Sequence, residues 1–213
     1  MIDKKEVIRY LGYKNHIPTQ DVLDLIEVCI KEVEAAAEPK HVARRFPAQV
    51  TECSVTAGGL ALQSKVLARH LRDCKEVILF AATLGTGVDR LLHKYLKLQV
   101  SKAVVIQAVA AAAIEDYCNR CQDEIAAEVA TEGLQVRPRF SPGYGDLALT
   151  VQNDFLQALQ AQKTVGIVLT EGDMMLPEKS VTAIMGLSSI KAGCYQTGCE
   201  MCSNTECAYR CAK

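Results

Sequence analysis

Along most of this chain, apolar positions recur with the period of a helix. Residues 3–11 set Val7, Ile8 and Leu11 on one side ahead of Gly12, which predicts a short helix. From residue 19 to about 37, Val22, Ile26, Cys29, Ile30 and Val33 fall at i, i+4, i+7, i+8 and i+11. That is the stripe of an amphipathic helix, with Thr19 as its expected N-cap and Glu38-Pro39 as its stop. The stripe is expected to pack on the rest of the domain. Between 40 and 57 the pattern alternates loosely around Pro47, which predicts one or two short strands. Gly58-Gly59 is then expected to admit a helix to about residue 74, with Leu62, Val66, Leu67 and Leu71 on its apolar face. Residues 76–82 are mostly apolar and rich in β-formers, as in an inner strand.

A glycine-containing connection at 83–89 leads into a helix over about 88–97. Its glycines follow neither dinucleotide nor nucleotide spacing, so it reads as a tight connection more readily than as a phosphate cradle. The longest helix is predicted over about 102–131. Val104, Val105, Ala108, Val109, Ala112, Ala113 and Ile114 make its first half apolar nearly all round, and therefore buried. Cys118 and Cys121 share one face in mid-helix. They read as packing residues, because a redox pair of this spacing sits at a helix N-terminus. A helix over about 148–161 follows, with Leu149, Val151, Phe155 and Leu159. Two strands come next, 165–169 and 180–187, as a wide hairpin or as neighbours. The fold class is α+β: a mixed or antiparallel central sheet flanked by long helices. One domain is expected over 1–190, helical over about 1–38, with a cysteine-rich tail over 191–213.

Composition narrows this further. With 213 residues, 49% of them hydrophobic but 5% aromatic and no tryptophan, the core must be aliphatic and alanine-rich. A balance of 24 basic and 25 acidic residues argues against a nucleic-acid partner. No run of ~20 uncharged apolar residues predicts a membrane span, and the start Met-Ile-Asp-Lys-Lys-Glu is not a signal peptide. The expected setting is cytoplasmic.

Chemistry concentrates in two places. The first is Arg137-Pro-Arg-Phe-Ser-Pro-Gly-Tyr-Gly-Asp146, which holds two arginines, two prolines and two glycines around a tyrosine. Proline fixes φ and glycine permits φ > 0, so this is a stiff irregular loop able to hold a guanidinium in place. Arginine binds carboxylates bidentately, so the loop suits a small carboxylate ligand. The plain alternative is a turn with a solvated arginine. The second place is the tail, Cys194-x4-Cys199-x2-Cys202-x4-Cys207-x3-Cys211. Four thiolates can hold Zn²⁺ or an iron–sulfur cluster. Cys199 and Cys202 have a usual ligand spacing, while the other spacings fit no single signature. A metal or cluster, and a disulfide or free-thiol tail, both remain open. His16, His41, His70 and His93 show no ligand spacing.

Arg139-x-x-Pro142-Gly143-Tyr144, followed by Leu169-Thr170-Glu171, Met175-x-Pro177 and Ser180-Val181, resembles the S-adenosylmethionine-binding activation domain of cobalamin-dependent methionine synthase. The resemblance covers about residues 75–188. It implies that Arg139 binds the methionine carboxylate and that Pro142 and Gly143 meet the ligand's polar edge. It also implies that Tyr144 faces the cofactor and that Glu171 matches the family glutamate by position. The implied role is that of a stand-alone reactivation protein, a methyltransferase component if an enzyme at all. It would bind S-adenosylmethionine and act on the cobalamin of a methionine synthase or other corrinoid protein, with reduced flavodoxin or ferredoxin as electron donor. Two other roles stand beside it: a metal- or cluster-carrying redox adaptor using the tail, and a non-catalytic S-adenosylmethionine-binding protein. The chain departs from the family after Tyr144, where Gly145-Asp146-Leu147 shortens the loop. Asp146 is the candidate to replace the acid lost with that loop; Ala112 and Gly133 also stand where the family has acids, with Glu132 beside Gly133.

Overall fold

The structure, a computed structural model, describes residues 2–13 and 16–190. Its centre is a six-stranded, wholly antiparallel sheet in the order β3-β2-β1-β4-β8-β5. The strands are β1 Lys40–Val50, β2 Ser54–Ala57, β3 Leu60–Gln63, β4 Glu76–Thr83, β5 Gln135–Val136 and β8 Ser180–Ser188. A separate two-stranded hairpin joins β6 Val168–Leu169 to β7 Met175–Leu176. The helices are α1 Lys4–Tyr10, α2 Gln20–Ala36, α3 Lys65–His70, α4 Thr86–Leu98, α5 Val100–Ala130, α6 Gln152–Leu159 and α7 Ala161–Thr164.

β4 is buried on both faces, and its alternation sorts the molecule into two cores. Ile78, Phe80 and Ala82 point, with Ala183, Met185 and Leu187 of β8, into a layer built from α1, α2, α4 and α5. Val77, Leu79 and Ala81 point the other way, with Ile184, against α3, α6, α7 and the β2–β3 hairpin. Phe80 is fully buried, a contribution of about 1.5–3 kcal/mol from side-chain transfer alone. Ile26, Cys29 and Val33 of the α2 stripe are buried as expected. Among the described residues no helix is long and apolar enough to cross a membrane.

Four sequence expectations need correction. Residues 58–59 do not open a helix: Gly58 and Gly59, with φ of 59° and 83°, form the two-residue turn of the β2–β3 hairpin. Positive φ at both central residues matches the strand twist, which is why glycines sit there. Leu62 therefore lies in a strand, and α3 begins only after Ser64, whose side chain accepts from Leu67 N–H at 2.9 Å. Pro47 does not break the strand. β1 pairs with β4 up to Pro47 and with β2 from Ala48 onward, so the missing N–H falls where pairing changes hands. The helix predicted over 148–161 is interrupted at Gln160, which has φ 51° between the fully buried Leu159 and Ala161. Finally, the 165–169 segment does not pair with 180–187. β6 folds back on β7, and β8 enters the main sheet between β4 and β5.

Candidate functional site

The arginine-bearing loop is stitched to β8. After β5, Arg137 N–H donates to Gly186 O at 2.8 Å, and Phe140 exchanges both backbone bonds with Ile184 at 3.0 and 2.8 Å. Val136 lies opposite Leu187 but Phe140 opposite Ile184, so the loop strand carries one extra residue between them, a bulge that turns Arg139 to the layer opposite Arg137 and Phe140. Phe140 points into the α3–α6 core. Arg137 is 2% exposed and crosses Gly186, where a Cβ would lie 3.1 Å from its Cγ and 2.6 Å from Cys74 Sγ. Arg139 reaches α5 instead. Its Nη1 donates to Gln122 Oε1 at 3.1 Å, and its Nη2 donates to Asn119 Oδ1 at 2.8 Å and Glu115 Oε2 at 3.1 Å. Glu115, Asn119 and Gln122 sit at i, i+4 and i+7, one face of a continuous helix, which lets one guanidinium span all three. The Arg139 side chain is 16% exposed, that of Glu115 48%.

Beyond Phe140 the loop closes on itself. Gly143, at φ 89°, donates its N–H to Leu147 O at 2.9 Å, and Tyr144 N–H donates to Ser141 O at 3.1 Å. These two N–H groups are thus spent within the loop, and Pro142 has none to offer. Tyr144 is 59% exposed and sets its ring edge-on to Phe140 at 6.2 Å. Asp146 fixes the far end. It accepts from the Ser64 hydroxyl, from Lys65 N–H at 2.8 Å and from Val66 N–H at 3.2 Å. Those bonds, the Ser64 hydroxyl first, hold its carboxyl below the usual range. Asp146 therefore serves the start of α3. His70, from the end of that helix, packs on Phe140 at 5.5 Å with Nε2 2.8 Å from Pro138 O. A carbonyl only accepts, so Nε2 carries the proton; burial pushes the imidazole pKa down and favours the neutral ring.

The second motif lies at the opposite end of the sheet's centre. The Ser180 hydroxyl donates to Pro177 O at 2.6 Å and lies 2.9 Å from Thr83 Oγ1, Leu84 N–H donates to Lys179 O, and Glu178 N–H donates to Asp89 Oδ2 at 3.0 Å. Glu178, Lys179 and Ser180 thus pin the segment after the hairpin to the β4–α4 junction, while Met175 packs against the α3–α6 core. Glu171 is exposed in the β6–β7 turn, and the side-chain partners of Arg139 come from α5, so no contact joins the two. The glycine connection at 83–89 is a packing device, as expected: a Cβ on Gly87 would stand 2.1 Å from Ala36 O, and one on Gly85 3.2 Å from Glu38 O. A groove of about 500 Å³ between α6, α7 and β6 is lined by Leu169 alone among the motif residues described.

Sequence reading missed the α5 contribution. Ala112, at the position of the family acid, is buried at 3%; the acid against Arg139 is Glu115, three residues on. Glu132 is held by Arg45 at 2.8 Å. The signal was present: three polar residues at i, i+4 and i+7 on a helix with an otherwise buried face. A second row on α5 brings Tyr117 Oη within 3.0 Å and Cys121 Sγ within 3.4 Å of His41 Nδ1. Burial raises the Cys121 thiol, and pushes Cys118 and Tyr117 up to about 12. Among the described residues no group of three or more His, Cys, Asp or Glu could hold a metal. The expected ligands Cys194, Cys199, Cys202, Cys207 and Cys211 lie outside the described residues.

No protein-family model matches the chain, and no curated protein matches it. Among solved structures it is similar to the MetH reactivation domain bound to AdoHcy, with a TM-score of 0.61 and 15% sequence identity over 92% of this chain and 80% of that one. The fold implied by Arg139-x-x-Pro142-Gly143-Tyr144 is thus the fold observed: this chain is built as a MetH reactivation domain is built.

Proposed function

We propose that the protein binds S-adenosylmethionine through Arg139 and serves as a stand-alone reactivation protein for a cobalamin-dependent methionine synthase or another corrinoid protein. The observation that carries this reading is the Arg139 guanidinium, held by α5 and set in the same loop as Gly143 and Tyr144, on a fold shared with a domain that carries AdoHcy. The donor chemistry fits the ligand. Arg139 takes the α-carboxylate, and the exposed Tyr144 ring offers π density to a sulfonium or a surface to adenine. Pro142 and Gly143 shape the bend that presents Tyr144, and Glu171 is the acidic group of the second motif. The partner's cobalamin would supply the nucleophile for the methyl group once reduced by flavodoxin or ferredoxin. This chain's part is to bind, orient and hold the donor.

Calorimetric titration with S-adenosylmethionine tests the reading. The parent is expected to bind, and Arg139→Ala to abolish binding while far-UV circular dichroism is unchanged; an Arg139→Ala variant that binds as well as the parent refutes it. The Cys199-x2-Cys202 spacing favours a second component in the tail: an iron–sulfur cluster, which would make the protein a redox adaptor for the same partner, or a redox-inert Zn²⁺ ion. Metal and sulfide analysis of anaerobically purified protein checks it: metal is expected in the parent and absent from Cys199→Ser/Cys202→Ser. A metal-free parent removes this component.

A further inference from the structure

One of the three nitrogens of the Arg139 guanidinium is already saturated. A guanidinium has five N–H donors, two on each terminal nitrogen and one on Nε. Both donors of Nη2 are engaged, by Asn119 Oδ1 at 2.8 Å and Glu115 Oε2 at 3.1 Å. Nη1 gives one to Gln122 Oε1 at 3.1 Å. A carboxylate binds bidentately across two nitrogens that present parallel N–H bonds. An arginine has two such pairs, Nη1 with Nη2 and Nε with Nη2, because the remaining side of Nη1 faces Cδ. Every bidentate arrangement therefore runs through Nη2, and an incoming carboxylate must displace one of its two occupants.

We infer that Glu115 is a resident stand-in for the ligand carboxylate, and that a carboxylate-bearing ligand docks on Arg139 by replacing it. This rests on the assignment of Arg139 as carboxylate anchor. Of the two occupants of Nη2, Glu115 makes the longer contact, and its side chain is 48% exposed, so it can swing into water. It is also the chemical match: one carboxylate leaves as another arrives, and the charge balance at Arg139 is kept. Asn119 and Gln122 stay. Their amide oxygens orient the guanidinium without cancelling its charge, so the anion site survives the exchange. The pair thus selects for ligands with a free carboxylate, and a nucleoside lacking one has no reason to move Glu115.

The test is calorimetry of the parent, Glu115→Ala, Glu115→Gln and Arg139→Ala with two probes. One is S-adenosylmethionine; the other is 5′-methylthioadenosine, which has the nucleoside and the thioether but no carboxylate. Glu115→Ala is expected to tighten S-adenosylmethionine about two- to fivefold, the factor an exposed ion pair carries, and to leave 5′-methylthioadenosine unchanged. Glu115→Gln should fall between Glu115→Ala and the parent. Unchanged or weaker S-adenosylmethionine binding in Glu115→Ala, with the parent's melting temperature, overturns the inference, and so does equal tightening of both probes. Loss of binding in Arg139→Ala alongside an unchanged Glu115→Ala leaves the anchor standing and removes only the stand-in. Arg139→Ala binding like the parent removes the anchor, and the stand-in with it. A parent that fails to bind while Glu115→Ala binds supports the inference; failure of both overturns it together with the proposed function.

Discussion

Asp146 gives the sharpest handle on how the loop is held. Replacing it with alanine removes the acceptor of the Ser64 hydroxyl and of the Lys65 and Val66 N–H groups. The two backbone donors are exposed and regain water at little cost. Ser64 is 3% exposed, and its hydroxyl also has to serve as acceptor for Leu67 N–H, so its proton is left without a partner. A buried unsatisfied donor costs about 1–3 kcal/mol, and partial rehydration through the opened loop brings the expected loss to about 1–2 kcal/mol. For a chain of this size that is a fall in Tm of about 2–8 °C, measurable by differential scanning calorimetry at pH 7. The pH dependence supplies a second reading. The carboxyl is held below its usual value, chiefly by Ser64, so its stabilisation is present above the unfolded carboxylate pKa of about 3.9 and is lost as pH falls through the folded value beneath it. The gap between parent and variant should therefore be full at pH 7 and narrow as pH falls below about 3.9. An Asp146→Ala protein as stable as the parent at pH 7, or a gap that does not narrow below about pH 4, refutes the assignment of Asp146 as the loop's anchor.

Gly87→Ala should lower the urea midpoint by the equivalent of about 2–3 kcal/mol, because the added methyl would meet Ala36 O at 2.1 Å and backbone has no rotamer to give; an unchanged midpoint would show that α2 and α4 are not locked there. Lys102→Met should cost about 1–3 kcal/mol, because Lys102 Nζ is the partner of Glu32 Oε1 at 2.7 Å in a setting that also buries Glu32 Oε2; thermal melts check this, and a neutral effect refutes it. Native alkylation with iodoacetamide at pH 8, read by mass spectrometry, should label the exposed Cys53 quickly. Cys118, fully buried with its thiol pushed up to about 12, should react only after denaturation, and equal labelling of the two would contradict the burial.

What was legible in the sequence was what depends on local pattern. α2, α5 and β4 were announced by their apolar pattern, since each buries a continuous face or run. The glycine pair at 58–59 was visible too, but its meaning depended on the strands to either side. With Leu62 and Leu67 both apolar, the helical period was satisfied by accident. β6 went astray for a similar reason. An apolar run predicts a strand without naming its partner, and Val168 pairs with Leu176 across a short turn while β8 is claimed by β4. At the site, Arg139 could be singled out because the proline–glycine setting is local. Its partners could not, because Glu115, Asn119 and Gln122 become neighbours of Arg139 only when β5 and Phe140 lay the loop beside β8. No spacing along the chain carries that distance.

The double burial of β4 has a consequence for how the chain is made. Its partner β8 pairs with it from Thr83 opposite Ser180 to Glu76 opposite Leu187, so the two sticky edges that define the middle of the sheet leave the ribosome far apart in time. β1 can cover one edge of β4 early. The other edge, flanked by side chains that are apolar on both faces, stays open while α4, α5 and the arginine loop are synthesised. Such long-range closure is slow, and an uncovered apolar edge is a template for pairing with a neighbour's chain. The emerging α5 offers shelter for one face of β4 in the interval. The edge itself must wait until almost the whole domain exists.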